Sequence, residues 1–219
     1  MAAAPRDRDD LPYAPYLKPV GGPLSREGDY DTALFEEAEF TEPEAGGARF
    51  TECAFSSVTF TGGRLRRARF NDVWLHTVRW VGTDLAQTGW LDAEVVASML
   101  AGLEVFDAEL RRVAFHNCKL DSVNLRGSVL REVSFTDCVL RDVDFAGATL
   151  TSVSFPGSTL DGVRFDRARL SRVDLRGAAA LGITDGFDAL RGATVSSPQL
   201  LELAPMLAAT LGITVRDSG

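Results

Sequence analysis

Two histidines are the residues of this chain that would most readily bind a metal ion. His76 and His116 each follow a large apolar residue by one position and are 40 residues apart in the chain. We expect these large residues to point inward, so both imidazoles should point outward. Their distance along the chain also does not match the short ligand spacings of a metal site. We therefore predict two solvated surface histidines.

No other arrangement of residues indicates catalysis. The sequence contains no glycine-rich phosphate loop with a lysine, and it contains neither a GxSxG nor an HExxH motif. Serine and aspartate are plentiful, but they are spread along the chain like ordinary turn and surface residues. We predict no catalytic, metal-binding or cofactor-binding residues and no cofactor, so the chain is not expected to be an enzyme.

The three cysteines indicate a cellular compartment rather than a reaction. Cys53, Cys118 and Cys138 each lie two positions before a large apolar residue, where the other residues are small and uncharged. Cysteines at apolar sites, in a sequence without a recognisable export signal or membrane span, predict buried free thiols in a reducing cytoplasm. A disulfide between Cys118 and Cys138, which are 20 residues apart, is the alternative.

A period of five residues governs most of the chain. At every multiple of five from 50 to 175 the residue is Phe, Leu, Trp or Val, and no residue two positions earlier is charged. Neither an α-helix nor one continuous strand places every fifth residue on the same side. Each pentad therefore predicts a short extended side with two inward residues, followed by a corner. Pro156-Gly157 and glycines at the same slot, such as Gly127 and Gly177, suit those corners.

The repeat resembles the pentapeptide-repeat family, whose unit is often written A(D/N)LxX. The best local matches are residues 123–127, 143–147 and 173–177, and the resemblance covers residues 33–195. It implies an all-β fold, a right-handed quadrilateral β-helix of four pentads per coil, in which residues 20 apart stack. About seven coils at strand spacing would form a rod of roughly 35 Å with capped ends.

Three segments are expected along the chain. Residues 1–31 form an acidic N-terminal extension that contains all three tyrosines, residues 32–195 form the β-helix, and residues 196–219 form a short C-terminal helical cap. Within the extension, residues 11–20 suggest an extended, polyproline-like run. This run either lies along the first coils or forms a loose tail.

The C-terminal segment has the pattern of a helix after the pentad breaks between residues 178 and 188. Ser197 is the expected N-cap, Pro198 the first helical residue and Gly212 the stop, while Pro205 should kink or divide the helix. Four leucines at helical spacing either cover the last coil as a lid or form a homodimer contact, which the family resemblance also implies. They are Leu200, Leu203, Leu207 and Leu211.

A second set of candidate contact residues lies near the middle of the repeat. Large apolar side chains occupy outward positions there, and exposed apolar patches often mark contacts. The candidates for a partner contact are Trp74, Val81, Leu91, Val96, Met99 and Phe106. Two alternatives stay open: the N-terminal extension or a bulge covers these side chains, or residues 92–101 form a short helix instead of coil sides.

The negative charge is distributed unevenly along the chain. The net charge is −8; residues 1–47 contribute −7, residues 48–177 contribute +1 and residues 178–219 contribute −2. The family resemblance implies DNA gyrase as a candidate partner, because some members modulate it by imitating duplex DNA. Such a mimic needs carboxylates along its length, and the repeat itself is nearly neutral. An acidic strip between Asp29 and Glu44 is the remaining support for mimicry.

These observations favour one function over another. We expect a cytoplasmic, non-enzymatic module for protein–protein interaction or scaffolding, with a protein partner whose identity the sequence does not give. Modulation or protection of DNA gyrase or topoisomerase is the alternative function. No membrane association is expected, and the net negative charge disfavours direct binding to nucleic acid.

Overall fold

The predicted quadrilateral β-helix is confirmed by a computed structural model, which describes residues 4–216. The chain forms a parallel β-solenoid of about 8 turns, one more than predicted, and ends in one short helix. The outermost three residues of the predicted N-terminal extension and of the predicted C-terminal cap lie outside the described residues.

The described chain contains 23 short strands and one α-helix. The first twelve strands are β1 (Lys18–Pro19), β2 (Asp29–Asp31), β3 (Ala33–Glu36), β4 (Glu39–Thr41), β5 (Arg49–Thr51), β6 (Ala54–Ser56), β7 (Thr59–Thr61), β8 (Arg69–Asn71), β9 (Trp74–His76), β10 (Arg79–Val81), β11 (Gly89–Leu91) and β12 (Glu94–Val96). The remaining elements are β13 (Met99–Ala101), β14 (Glu109–His116), β15 (Lys119–Asp121), β16 (Val129–Thr136), β17 (Val139–Arg141), β18 (Thr149–Thr151), β19 (Thr159–Arg164), β20 (Arg169–Ser171), β21 (Val173–Asp174), β22 (Ala180–Asp185), β23 (Ala193–Thr194) and α1 (Ser197–Thr210). Single 3-10 turns lie at Arg8–Asp10, Ala14–Tyr16 and Phe187–Leu190.

The strands stack into four faces because, from β2 to β20, paired residues are 20 positions apart. Face A contains β2, β5, β8, β11, the start of β14 and of β16, β18 and β20; face B contains β3, β6, β9, β12 and the ends of β14 and β16. Face C contains β4, β7, β10, β13, β15, β17, β19 and β22. Face D consists of single bridges that run from Glu44 through Arg64 and Asp84 to Arg164. Residues 92–101 belong to coil sides, so the short helix considered for them is absent.

The corners adopt left-handed backbone conformations, mostly without glycine. Gly127 and Gly157 have φ values of 67° and 68°, as expected, but 22 of the described residues other than glycine also have positive φ. This conformation costs an L-residue about 1–2 kcal/mol. Hydrogen bonds to the next coil offset that cost; for example, the Asp72 N–H donates to the Leu91 carbonyl at 2.9 Å. Gly177 lacks the positive φ expected for it, because the pentad register breaks immediately after it.

The interior consists of stacked columns of like residues. Phe50 stacks on Phe70 with a ring-centroid separation of 4.9 Å, and Phe145 stacks on Phe165 at 5.3 Å. These spacings equal roughly one strand separation, so the rings of successive coils lie face to face. The columns form a single apolar core along the solenoid.

The three cysteines are buried and free. The Cys118 N–H donates to Cys138 Sγ at 3.4 Å, and the equivalent N–H of Cys138 donates to Ser158 Oγ at 2.8 Å. Each of these side chains therefore satisfies a backbone donor inside the core. Burial raises the pKa of the Cys53 thiol to about 11, so this thiol is protonated at neutral pH.

Candidate functional site

Helix α1 closes the C-terminal end of the solenoid with its inner side. Gln199 is buried, and its Nε2 donates to the carbonyl oxygen of Leu175 in the last coil at 2.8 Å. Leu203 is buried in the core, and Leu207 packs against it. The N-cap is Ser196 rather than the predicted Ser197, because Ser196 and Gln199 exchange hydrogen bonds in a capping box.

Pro205 lies inside α1 without dividing it, so the predicted division into two short helices is absent. Proline removes one backbone donor and crowds the preceding turn. Packing of Leu203 and Leu207 against the last coil holds the turns on both sides of Pro205 in place. Gly212 ends the helix as predicted, with a φ of 71°.

The outer side of α1 and the residues that follow it form an exposed apolar surface, here called the α1 surface. Of the eight large hydrophobic side chains exposed among residues 4–216, six lie here: Leu200, Leu201, Met206, Leu211, Ile213 and Val215. The only charged residue within α1 is Glu202. Such a concentration of exposed apolar side chains is typical of a contact surface.

The four predicted leucines of the cap are divided between these two sides. Leu203 and Leu207 face the solenoid, whereas Leu200 and Leu211 are 50% and 75% exposed. The sequence reasoning missed the exposed Leu201, because it followed one helical stripe only. Apolar residues continue around α1 beyond that stripe, and this signal could have revealed an unpartnered side.

The six predicted contact residues in the middle of the solenoid do not form one patch. Their strands place Leu91 on face A and both Val81 and Met99 on face C. Phe106 lies at the face D corner, where the Arg66 guanidinium stands 5.6 Å from the centre of its ring. Among the six, only Met99 is strongly exposed, at 39%. The pentad geometry explains the dispersal, because each step of five residues moves to the next face.

Trp74 and Val96 lie on face B, where residues 6–17, here called the strap, cover part of the surface. Trp74 is 4% exposed, and its Nε1 donates to the carbonyl oxygen of Arg6 at 3.1 Å. Leu11 and Tyr13 of the strap are buried against Trp74 and Ala54. Burial raises the pKa of the Tyr13 phenol above its ordinary value. The strap is thus a packed element of the surface.

The conformation of the strap differs from the one expected. Residues 11–20 do not form a polyproline run, because the 3-10 turn at Ala14–Tyr16 and the strand β1 interrupt it. Strand β1 pairs in parallel with β3 on face B.

A buried carboxylate lies at the end of the strap. Glu94 is 6% exposed and accepts hydrogen bonds from the backbone N–H and from Nε of Arg6, each at 2.7 Å. His116 Nε2 lies 4.0 Å from Glu94 Oε1, and His116 is itself buried. The prediction that His116 is solvated is therefore wrong, since this part of face B is covered. His76 is half-buried and stacks on Trp74 at 5.1 Å.

The acidic residues near the N-terminus encircle the first coil. Asp29 and Asp31 lie on β2 of face A, Glu36 lies on β3 of face B and Glu39 lies on β4 of face C. Glu44 continues the series on face D. The acidic strip considered from the sequence is therefore a ring around the axis rather than a line along it.

Along face D, Asp84 and Asp144 are paired with arginine, whereas Glu104 accepts a hydrogen bond from Asn124 Nδ2. The Asp84 carboxylate lies 2.6 Å from Arg66 Nε, and Asp144 lies 3.2 Å from Arg164 and 3.8 Å from Arg126. The arginine side chains of these pairs are at least half exposed, whereas Asp144 is buried. They do neutralise the carboxylates, which reduces the resemblance of this face to a phosphate backbone.

The interior contains a cavity that is too small for a substrate. It measures about 40 Å³, is almost wholly apolar and is lined by residues that include Val95, Leu100 and Val105. Sites for small molecules usually measure a few hundred Å³ or more. Within residues 4–216, no three His, Cys, Asp or Glu side chains come together where they could hold a metal ion. The same described stretch contains no helix that is long and apolar enough to cross a membrane.

Several solved structures resemble this chain in fold. HetL from the cyanobacterium Nostoc sp. strain PCC 7120, a pentapeptide-repeat protein involved in regulating heterocyst differentiation, is 17% identical over 80% of this chain and 93% of its own, with a TM-score of 0.46. A trypsin-treated form of QnrB1, a plasmid-mediated fluoroquinolone resistance protein, is 15% identical over 87% of this chain and 100% of its own, with a TM-score of 0.35. No curated protein sequence matches this chain.

Two family models match the repeat directly. A model described as a pentapeptide repeat region matches residues 97–165, and one described as pentapeptide repeats (9 copies) matches residues 35–79. Together the two matches span just over half of the 219 residues. Both matches lie within the stacked pentads, and the chain belongs to the pentapeptide-repeat family.

Proposed function

We propose that this protein is a non-enzymatic interaction module that pairs with a second copy of itself through the α1 surface. The observation that carries the proposal is the concentration of six of the eight large exposed hydrophobic side chains at residues 200–215. Covering these side chains would remove apolar area from water, which is the main favourable term in most protein association. The paired rods would then present their faces as a scaffold to further protein partners.

A second copy fits this surface better than a charged partner does. Glu202 is the one charged residue of α1, so the surface offers little charge complementarity to select a different protein. A two-fold pair brings identical apolar surfaces together and leaves none uncovered. The inner side of α1 is already fixed to the last coil by Gln199 and Leu203, so its outer side is presented on a rigid support.

The proposal is tested by energy transfer between donor-labelled and acceptor-labelled copies of the full chain. Mixing the two should produce transfer in the wild type, and Leu200→Glu with Leu211→Glu should abolish it because both carboxylates would be buried without partners. Met99→Glu is the matched control, since Met99 is exposed on face C, away from α1, and it should leave transfer unchanged. Equal transfer in all three proteins would contradict the proposed surface.

The buried thiols support a reducing compartment for this activity. Cys53, Cys118 and Cys138 are all free and inaccessible to solvent. Free cysteines are common in cytoplasmic proteins and uncommon in exported ones. We therefore place the proposed self-association in the cytoplasm.

Modulation of DNA gyrase is the second candidate function, and the acidic first coil is the feature that favours it. Duplex DNA presents one charge per about 1.7 Å along its axis, so a mimic needs carboxylates repeated along the rod. The acidic ring lies across the axis instead, and Asp84 and Asp144 of face D are paired with arginine. In this second function, the acidic ring would contact a basic protein surface of gyrase locally.

A supercoiling assay separates the two candidates. At low micromolar concentration, full-length protein should neither inhibit gyrase supercoiling nor relieve quinolone-stabilised cleavage. A full-length variant with Glu36→Gln, Glu39→Gln and Glu44→Gln provides the comparison. Inhibition by the wild type that disappears in this variant would assign gyrase modulation to the acidic ring and contradict our preference.

A further inference from the structure

The strap and the surface beneath it form an interface between two parts of one chain. The surface, here called the face B groove, consists of Leu34, Ala54, Trp74 and Glu94, which stand at the same outward position of four successive coils. The strap crosses these coils lengthwise: Arg6 contacts Glu94, while Leu11 and Tyr13 pack on Trp74 and Ala54. Leu17 and Leu34 both pack against this apolar cluster.

This interface is separate from the core of the solenoid. Leu11, Tyr13, Ala54 and Trp74 form an apolar cluster of their own, distinct from the cluster that fills the coils. The strap can therefore leave the groove without opening the stacked interior. Its outer residues Pro12, Pro15 and Tyr16 are exposed, and Tyr16 is 67% exposed, so nothing in the described chain holds the strap from above.

The groove also has features that select its occupant. A carboxylate as buried as Glu94 is costly unless a cation and further donors satisfy it, and Arg6 supplies both through its guanidinium and its backbone N–H. The Trp74 indole adds a directed hydrogen bond to the backbone of the occupant. Tryptophan, tyrosine and arginine are the residue types on which recognition surfaces most often depend.

The groove ends where its selective residues end. Beyond Glu94, the same outward position on face B holds Ala114 and then Ser134, which are small and offer neither a charge nor an aromatic ring. The recognition features are thus confined to the length that the strap covers. A segment needed only to shield apolar area would not require a buried carboxylate at one end.

We propose that the face B groove is a peptide-binding site, which the strap fills within the same molecule. Its partner is a protein segment with the chemistry of the strap: an arginine, followed five positions later by a leucine and seven positions later by a tyrosine or another aromatic residue. The partner segment displaces the strap when it binds. This site is independent of self-association through the α1 surface, which lies at the other end of the rod.

The strap is attached to the groove by the chain itself, so a free partner segment must compete with the strap for the same site. A segment attached by a short linker occupies its site at an effective concentration on the order of millimolar. A free peptide of the same sequence therefore binds the wild type only weakly. Weakening the strap, without altering the groove, should raise the apparent affinity for the free peptide at least tenfold.

The experiment uses a fluorescein-labelled peptide of residues 4–17 and full-length proteins in an anisotropy titration. A protein with Leu11→Ser and Tyr13→Ser in its strap should bind the peptide at least tenfold more tightly than the wild type does. Adding Glu94→Gln to this protein should reverse the gain, whereas adding Glu104→Gln, at an exposed face D position, should not. A labelled peptide with Arg6→Glu should fail to bind, and this arm requires no change to the protein fold.

Two outcomes would overturn the proposal. One is equal peptide affinity in the wild type and in the strap-weakened protein. The other concerns partner chemistry: selection of random peptides on the strap-weakened protein should enrich the arginine–leucine–aromatic spacing. If the selection enriches unrelated sequences, or enriches no sequence, the groove does not bind segments of this chemistry from other proteins.

Discussion

The indole Nε1 of Trp74 donates a hydrogen bond to the carbonyl oxygen of Arg6, which is 68 residues earlier in the chain, at 3.1 Å. The adjacent Arg6 guanidinium pairs with the buried Glu94, so the same residue is held at two points. Long-range contacts of this kind attach the strap to face B. They also make Trp74 a reporter for the state of the strap, because Trp80 and Trp90 are buried inside the coils.

Arg6→Gln should loosen the strap, because it leaves the Glu94 carboxylate without its cation. Breaking a buried pair from one side costs up to about 3–5 kcal/mol, and partial exposure of Arg6 should reduce that to about 1–2 kcal/mol. Acrylamide quenching of tryptophan fluorescence should increase as Trp74 becomes accessible. Arg8→Gln is the control, since Arg8 pairs with the exposed Glu36; quenching that is equal in both variants would contradict this account of Glu94.

Phe145→Ala should destabilise the solenoid by about 3–5 kcal/mol through the cavity that it leaves. Phe145 is fully buried and stacks on Phe165. Urea unfolding measures the loss, and Phe106→Ala is the comparison because Phe106 is only half-buried at a corner. A loss below about 1 kcal/mol for Phe145→Ala would be incompatible with an inward position.

Val105→Leu should stabilise the protein by about 0.5–1 kcal/mol, because the added methylene enters the existing 40 Å³ cavity. Val143→Leu is the matched control at a fully buried site that does not line the cavity. Overpacking should make that control less stable by about 1–3 kcal/mol. Thermal melts of both variants measure these changes in stability. Destabilisation by Val105→Leu would indicate that the cavity is already filled.

Stability should decrease at alkaline pH through Cys53. Its folded-state pKa of about 11 exceeds the unfolded value of about 8.5, so its contribution is complete below pH 8.5 and is lost as the pH rises towards 11. The loss amounts to about 3 kcal/mol over this window. The difference in unfolding free energy between the wild type and Cys53→Ala should shrink by that amount; a difference independent of pH would refute the assignment.

The sequence predicts the solenoid well because the fold depends on a short spacing of apolar residues that repeats every five positions. Residues such as Phe50 and Phe70 are 20 apart and meet in the next coil, so one period determines most contacts in the core. The same period determines which side chains point outward, but not what covers them. The burial of His116 and Glu94 depends on the strap region, whose contact between Arg6 and Glu94 spans 88 residues and obeys no period.

The candidate contact surfaces were only partly predictable for a related reason. Helical spacing placed Leu203 and Leu207 correctly as a single stripe, but a stripe alone does not determine which side of α1 meets the last coil. The mid-rod residues Leu91 and Met99 follow one another closely in sequence, yet a corner separates them onto faces A and C. Proximity along the chain is a poor guide to a shared surface in a fold that turns every five residues.

The central claim is self-association through the α1 surface, and the molar mass of the full-length protein in solution tests it most directly. Light scattering during size-exclusion chromatography, over a concentration series into the tens of micromolar, should give twice the chain mass of 23.7 kDa. The mass should return to that of one chain in the protein carrying Leu200→Glu and Leu211→Glu. A wild-type mass of one chain at the highest concentration would contradict the account.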